Sequence, residues 1–256
     1  MDSDVVPPRL AVHLVPWLRS WRSGLVPVDD LLAAVTDTPM RGIEQVVVVD
    51  GIGVDLATGL AGLSRTPADE IRLVLPVPGD LRGLPTSGEF AAAALTCGEA
   101  VVAGDCGLVP QPRTHTSGSG DTWHTVSWLR HDLPVRPKPV DEPTVADADL
   151  ALSEALRDAT GVLTRLDVAA WNPQLDRALT RMRAPSGRQL PPGFDNRSRR
   201  LFDRATLLDT ALRVAESDAM GGAVTSYEAS ARREALRPLA AACRQALLAA
   251  CHARLG

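Results

Sequence analysis

Three aspartates stand directly after short apolar runs and are the residues best placed to bind a ligand. The runs predict strands, and Asp50, Asp80 and Asp105 follow their ends. If the strands are parallel neighbours, these carboxylates meet at one edge of the sheet, where open α/β folds bind ligands. Such a cluster would suit a hard cation, with Mg²⁺ as the candidate, and Arg82 could meet an anionic group there. The alternative is that each aspartate satisfies the backbone of a turn.

Cysteine and histidine residues offer two further candidates for chemistry. Cys97, Cys106, His115 and His124 are zinc-ligand types, but they stand nine residues apart, whereas structural zinc ligands usually come as close pairs. His124 and His131 could act as acid–base groups near neutral pH. The sequence favours a solvent-facing position on a strand for both of them.

The familiar nucleotide-binding and nucleophile motifs are absent from the sequence. Gly51-Ile52-Gly53 follows a predicted strand, but Leu56 stands where the dinucleotide fingerprint needs its third glycine. There is no GxxxxGK[ST] and no GxSxG. We therefore predict no catalytic residue and no cofactor, apart from Mg²⁺ at the three aspartates.

Arginines form a fourth candidate site, in the second half of the chain. They cluster in two helical segments and could bind phosphate groups or a partner; the candidates are Arg199, Arg200, Arg204, Arg232 and Arg233. Acidic residues such as Asp203 and Asp209 interleave with them. Solvation or pairing within the chain is the favoured interpretation, and nucleic-acid binding is the alternative.

The elements that must position the aspartates alternate between strand and helix. Residues 46–49, 72–77 and 99–103 predict strands, and residues 54–63 and 87–96 predict the helices between them. This order favours an α/β or α+β fold with a small, mostly parallel sheet, because parallel strands need crossover connections. Residues 122–131 alternate as a fourth strand, expected at an antiparallel edge, after a loop over residues 104–121.

The second half of the chain carries helical periodicity. Apolar residues alternate in steps of four and three in three segments, as at Leu152, Leu156 and Ala159, which predicts an all-α antiparallel bundle. Thr144, three residues before Asp147, predicts the N-cap of the first helix. A proline-rich linker over residues 133–143 separates the halves, so we predict a mixed α/β domain over 1–140 and a helical domain over 141–256.

Composition and charge exclude several classes of protein. The 256 residues are 45% hydrophobic, and no apolar run has the length that crosses a bilayer. An acidic start before the first apolar stretch argues against a secretory signal, so a cytoplasmic location is expected. Residues 1–150 hold 11 basic and 20 acidic side chains, a net charge of −9, and residues 151–256 hold 16 and 11, a net charge of +5. This asymmetry favours attraction between the halves over nucleic-acid binding.

Three segments carry a resemblance to a known family. They are Arg72 to Pro85, Gly98 to Val102 and Leu236 to Leu239. The chain is similar there to a conserved actinobacterial family without assigned activity. The resemblance therefore implies an actinobacterial origin, and it implies no catalytic residue.

These observations leave three hypotheses for function. The first is a non-catalytic binding or regulatory protein that acts through a protein partner, because no catalytic motif is complete and amphipathic helices are present. The second is a small-ligand or metal-dependent enzyme that uses Asp50, Asp80 and Asp105. The third is nucleic-acid binding through the arginine-rich helices. No membrane partner is expected, and self-association stays open.

Overall fold

The chain divides into two compact units. The structure is a computed structural model that describes residues 9–36, 43–85, 88–133, 140–165, 189–219 and 226–256. The first unit, here the sheet unit, contains residues 9–141, 189–194 and 254–256 within those ranges. The second unit, here the helical unit, contains residues 142–165, 195–219 and 226–253. The described residues form seven α-helices and six strands, so the protein is of mixed α/β type.

The sheet unit contains four helices and all six strands. In chain order they are α1 Leu10–Arg22, α2 Val28–Thr36, β1 Glu44–Val49, β2 Ile52–Asp55, α3 Leu56–Ala61, β3 Ile71–Val74, α4 Glu89–Cys97, β4 Ala100–Ala103, β5 Cys106–Thr116 and β6 Thr122–Asp132. The strands form one sheet in the order β2-β1-β6-β5-β4-β3. Only β1 and β6 run parallel, and every other neighbouring pair is antiparallel. The prediction of a mostly parallel sheet is therefore wrong.

Tight turns explain why the sheet is antiparallel. Asp50 and Gly51 connect β1 to β2 with φ angles of 50° and 80°. Two successive positive φ angles are typical of a type I′ turn, for which Asp-Gly is a favoured pair. Gly104 and Asp105 connect β4 to β5 in an equally short turn. Because two residues are too few for a crossover, each of these strand pairs must be antiparallel.

A segment predicted as a loop forms the longest ladder of the sheet. β5 covers most of residues 104–121, and it pairs with β6 along its whole length, from Cys106 opposite Asp132 to Thr116 opposite Thr122. The strand predicted at residues 122–131 is present, but it lies between β1 and β5 and not at an edge. Prolines within β5 and the glycine-rich turn after it concealed this strand in the sequence.

A buried tryptophan ties the sheet to a helix on one of its faces. Trp128 is 2% exposed, and its indole N–H donates to Gln45 Oε1 across 3.1 Å. The Gln45 amide in turn donates to the carbonyl of Val35 in α2 across 2.7 Å. Because the indole N–H and the Gln45 amide both have hydrogen-bond partners, the indole can be buried without the cost of an unsatisfied donor.

Helix α1 begins on a buried carboxylate from a distant part of the chain. Glu99 is 7% exposed, and its two oxygens accept from the backbone N–H groups of Leu10 and Ala11 at 3.0 and 2.8 Å. Unsatisfied N–H groups and the helix dipole make a helix N-terminus a favourable place for negative charge. Glu99 thereby fixes the start of α1 beside β4.

Helix α4 covers part of the opposite face of the sheet. Phe90 packs directly on Gly107 of β5, and a Cβ at Gly107 would lie 2.3 Å from the phenyl ring. The same cluster contains Ala94, Val102 and Val109. The β3–β4–β5 side of this face is therefore closed by α4.

The described part of the helical unit consists of three long helices. They are α5 Val145–Arg165, α6 Asn196–Ala219 and α7 Ser226–Cys251, and α7 packs on both α5 and α6. The predicted N-cap of α5 is confirmed, because Thr144 Oγ1 accepts from the N–H of Asp147 across 3.2 Å. Most described members of the apolar repeats are buried, as at Leu152, Leu201 and Leu247, and Leu156 is partly buried. Much of the predicted proline-rich linker, residues 134–139, lies outside the described residues.

Close packing of α3 on β1 generates a first prediction. A Cβ at Gly59 would lie 2.3 Å from Val47, a fully buried residue, so alanine cannot fit without moving backbone. We expect Gly59→Ala to lower the free energy of unfolding by about 1–3 kcal/mol, the usual cost of overpacking. Gly53→Ala is the matched control, because a Cβ there meets nothing within 4 Å. Equal denaturation midpoints for the two variants would contradict this packing.

The N-cap of α6 generates a second prediction, on the dependence of stability on pH. Asp195 accepts from the N–H of Ser198 across 2.7 Å, and this hydrogen bond lowers the pKa of the carboxyl. A lowered pKa stabilises the fold above the unfolded-state pKa of about 4, and this contribution is lost as the pH falls through the lower, folded-state pKa. Asp195→Ala should cost about 1 kcal/mol at pH 7 and less in acid, measured by urea denaturation.

Asp203 in the same helix provides a control, because its pKa is shifted in the opposite direction. Burial raises the pKa of its carboxyl, although Arg199 opposes the shift. Its ionisation therefore opposes folding as the pH rises past the unfolded-state pKa, and Asp203→Asn should gain stability relative to wild type over that range. The cap assignment fails if both variants show the same trend with pH.

Candidate functional site

The three aspartates predicted as a cation site do not come together. β3 and β4 are antiparallel, so Asp80 follows the end of the sheet opposite to the one that Asp105 follows. Asp50 and Asp105 follow the same end, but β6 and β5 lie between their strands, a separation of about 14 Å. In the ranges that the structure describes, no three His, Cys, Asp or Glu residues are grouped to hold a metal ion. The predicted convergence is wrong because its premise, parallel neighbouring strands, is wrong.

Asp80 and Arg82 bind each other instead of flanking an open site. The guanidinium of Arg82 donates from Nε to Asp80 Oδ1 across 2.8 Å and from Nη2 to Oδ2 across 2.7 Å. Backbone hydrogen bonds between Val77 and Asp80 close the turn through Pro78 and Gly79. This geometry agrees with the alternative that the aspartate serves a turn.

Asp50 and Asp105 also occupy turns. Asp50 has a left-handed backbone, which aspartate tolerates better than most residues. The carbonyl of Asp105 accepts from the N–H of Leu133 across 2.7 Å. Both side chains are exposed, and both residues connect antiparallel strands.

The cysteines and histidines of the zinc hypothesis are far apart. Cys106 begins β5 and His115 nearly ends it, so the strand separates them by about 30 Å. The Cys97 thiol donates to the carbonyl of Pro110 across 3.1 Å, and burial raises the pKa of the Cys106 thiol to about 11. His124 and His131 are likewise at opposite ends of β6, so they cannot act on one substrate atom.

The arginine candidates lie on two helices of the helical unit. Arg204 donates from Nη1 to Asp149 Oδ1 at 3.0 Å and to Ser153 Oγ at 2.9 Å, which joins α6 to α5. Arg199 and Arg200 lie one turn earlier on α6, and Arg200 is exposed. The side chains of Arg232 and Arg233 lie outside the described residues.

The structure reveals a site that sequence reasoning missed, at the far end of the β5–β6 ladder. β4 pairs with β5 only at residues 106–108, and β1 pairs with β6 only at residues 125–129. Residues 113–116 and 122–125, with the turn 117–121, therefore form an extension, here the distal ribbon, which is two-stranded beyond the Arg113–Thr125 pair. Among the described strands, neither β4 nor β1 pairs with its outer residues 114–116 and 122–124.

Side-chain pairs connect the two strands of the distal ribbon. The rings of His115 and Trp123 stack at 5.1 Å between centroids with an interplanar angle of 15°. His115 Nε2 is also 2.9 Å from Thr125 Oγ1. On the other face, Thr114 Oγ1 lies 3.0 Å from His124 Nδ1. Such pairs are the main stabilising contacts of an isolated ribbon.

The turn of the distal ribbon is closed by its own hydroxyl groups. Ser117 N–H donates to the carbonyl of Asp121 at 2.8 Å, and Ser117 Oγ accepts from the N–H of Asp121 at 3.0 Å. Ser119 Oγ donates to Asp121 Oδ2 at 2.6 Å, and Gly120 supplies a φ of 89°. The glycine- and serine-rich composition therefore forms a turn that its own hydrogen bonds close.

One face of this ribbon exposes a large aromatic side chain. Trp123 is 50% exposed, whereas Trp128 in the same strand is 2% exposed, because the two residues lie an odd number of positions apart and therefore point to opposite faces. Register places four further residues on the face of Trp123, and together they are the ribbon face: Glu44, Arg113, His115, Trp123 and Thr125. It offers an exposed aromatic anchor with polar neighbours, an arrangement that suits binding.

The sequence did hold a signal for this site. The alternation of residues 122–131 predicted the strand, and Ser117 to Asp121 has the composition of a turn between two strands. The preceding run, from Cys106 to Thr116, has no clear alternation, and its prolines indicated a loop. Prolines are tolerated where a strand lacks an outer neighbour, which is the case for Pro112 among the described strands.

Comparison with known proteins identifies relatives along the whole chain. Two family models match in succession, the N-terminal domain of Rv1486c-like proteins at residues 11–143 and their C-terminal domain at residues 146–248. "Uncharacterized protein ML1804" of Mycobacterium leprae is 29% identical, with 96% of this chain and 97% of the relative covered. "Uncharacterized protein Rv1486c" of Mycobacterium tuberculosis is 27% identical, with 94% and 95% covered. "Uncharacterized protein MAV321" of Mycobacterium avium is 32% identical, with 74% and 72% covered.

No solved structure matches the chain. Within the described residues, no helix combines the length and the apolar character needed to cross a membrane.

The two tryptophans of β6 generate a third prediction. Trp128→Ala should lower the free energy of unfolding by about 3–5 kcal/mol, because it empties a buried space and leaves Gln45 without its donor. Trp123→Ala should cost about 1 kcal/mol, the scale of a lost aromatic stack. Urea denaturation of the two variants measures the difference. A cost for Trp123→Ala equal to that for Trp128→Ala would make Trp123 a structural residue.

Proposed function

The chain belongs to the Rv1486c-like family, which confirms its resemblance to an actinobacterial family, and we propose that it is a non-catalytic binding protein that acts through a protein partner. The ribbon face is the proposed contact surface. The observation that carries the proposal is the 50% exposure of Trp123, whose ring stacks on His115 across the ribbon.

Tryptophan is among the residues that contribute most to binding energy at protein interfaces. A side chain that is already fixed loses little conformational freedom on binding, so more of the contact energy appears as affinity. His115 supplies this fixation by stacking, and Thr125 fixes His115 in turn. The surface is thus preorganised for a partner.

The composition of the ribbon face favours a protein as its partner. Glu44 and Arg113 are both exposed beside Trp123, so the apolar anchor has charged neighbours of both signs. An aromatic centre with a polar border is the usual arrangement of a protein interface. Nucleic acid would instead require a predominantly basic surface, and residues 1–150 carry a net charge of −9.

The two alternatives receive less support. A metal-dependent enzyme at the three aspartates is not proposed, because the strand directions separate them. Nucleic-acid binding would rely on arginines of which Arg204 is already bonded to Asp149 and Ser153. We retain a cytoplasmic location and an antiparallel arrangement of α5, α6 and α7 as part of the proposal.

Site-specific photocrosslinking tests the proposed function. A benzophenone amino acid, which keeps a large aromatic side chain in place of the indole, is placed at position 123 of the full chain and, as a control, at position 81, because Leu81 is 50% exposed as well. In native lysate, we expect a discrete crosslinked product from position 123 and none of the same mass from position 81. Excess unlabelled wild-type chain should suppress the product, because it competes for the partner, and unlabelled Trp123→Ala chain should not.

Two results would contradict the proposal. One is the absence of any discrete product from position 123. The other is equal competition by the wild-type and Trp123→Ala chains, which would show that the product does not depend on the anchor.

A further inference from the structure

The register of the sheet arranges opposite charges symmetrically about one strand. Glu44 of β1 stands opposite Thr125 of β6, and Thr125 stands opposite Arg113 of β5. Residues opposite one another in a ladder project from the same face, so the three side chains form one row across three strands. An acid and a base thus lie about 5 Å to either side of the central strand. Both are exposed.

This row is complementary to itself. When a second copy is stacked face to face by a two-fold rotation about an axis along β6, the two outer strands exchange places. The Glu44 of each copy then lies over the Arg113 of the other, and Thr125 lies over its own counterpart. Two equivalent ion pairs result from a single row, which is the defining property of an isologous interface.

The neighbouring row places Trp123 at the same axis. Trp123 also belongs to β6, two residues before Thr125, so the rotation brings the two Trp123 rings together at the centre. On the other side, Val46, Ser127 and Gln111 form the next row, and all three are partly buried. Farther along, α4 closes the face with Phe90 over Gly107. The contact is therefore confined to the distal ribbon and the first rows of β1.

We infer that the ribbon face binds a second copy of this chain and forms a symmetric dimer with Trp123 at its centre and Glu44–Arg113 ion pairs at its two sides. This inference rests on the proposed function and names the partner. Charge complementarity favours the second copy, because each copy of the chain carries an acid and a base at matching positions. A different partner would need its own acid and base at the same spacing. Exposed ion pairs add register more than affinity, so the tryptophans supply most of the attraction.

Charge reversal within the purified full chain tests the inference. Sedimentation equilibrium over a concentration series should give a reversible dimer for the wild type. Arg113→Glu and Glu44→Arg should each weaken dimerisation roughly tenfold or more, because each reversal places like charges together at two symmetric positions. The double variant restores opposite charges and should return the dissociation constant to within roughly threefold of wild type.

Two further variants complete the design. Arg65→Glu makes the same charge change at an exposed position outside the ribbon face and should leave dimerisation unchanged. Trp123→Ala should weaken the dimer more than either charge reversal, and circular dichroism checks that every variant is folded. If a charge reversal unfolds the chain, Trp123→Ala and Arg65→Glu still decide the result.

The outcomes separate this inference from the proposed function. A monomer at all concentrations, or a double variant that stays as weak as the single ones, overturns the second copy as partner. If the monomer still gives a heterologous crosslinked product through position 123, the proposed function stands without the dimer. If the purified chain is monomeric and position 123 gives no product, both fail.

Discussion

The antiparallel pairing of β5 with β6 is the interaction on which the sheet unit depends. Eleven residue pairs, from Cys106 and Asp132 to Thr116 and Thr122, keep one register without interruption. The first part of this ladder lies in the centre of the sheet, where β4 and β1 flank it. The last part continues past both neighbours as the distal ribbon. One ladder therefore builds the core and carries the candidate site beyond it.

Because its side chains alternate strictly between the two faces of the sheet, β6 contributes both to the core and to the ribbon face. Trp128 and Val126 point into the core, and Trp123 and Thr125 point to the ribbon face. A shift of register by one residue would exchange the two sets and bury the wrong tryptophan. The hydrogen bond from Trp128 to Gln45 opposes such a shift, because only the native register brings the indole N–H to that amide. The register that buries Trp128 therefore also places Trp123 on the exposed face.

Local signals in the sequence were interpreted correctly where their physical cause is local. The β-branched run at residues 46–49 lies in β1, the periodic segments of the second half are helices, and Thr144 caps α5. The strand directions were wrong because the alternation of strands and helices was taken to indicate crossovers, and the type I′ turn at Asp50 and Gly51 that leads to β2 was not predicted. Asp-Gly between two apolar runs was the available signal for a hairpin. The candidate site was missed for a related reason, since prolines in β5 concealed the partner of β6.

The sequence by itself determined most helices and the strands β1, β3, β4 and β6, but not β2 or β5, and it showed a charge asymmetry and a family origin. These properties follow from side-chain periodicity, turn chemistry and composition, which act over a few residues at a time. Only the tertiary structure decided that β6 lies between β1 and β5 and that Glu44, Thr125 and Arg113 share a row. Pairing between strands distant in sequence depends on burial and register together, and no single segment encodes it. The ribbon face exists only once three separate strands are aligned.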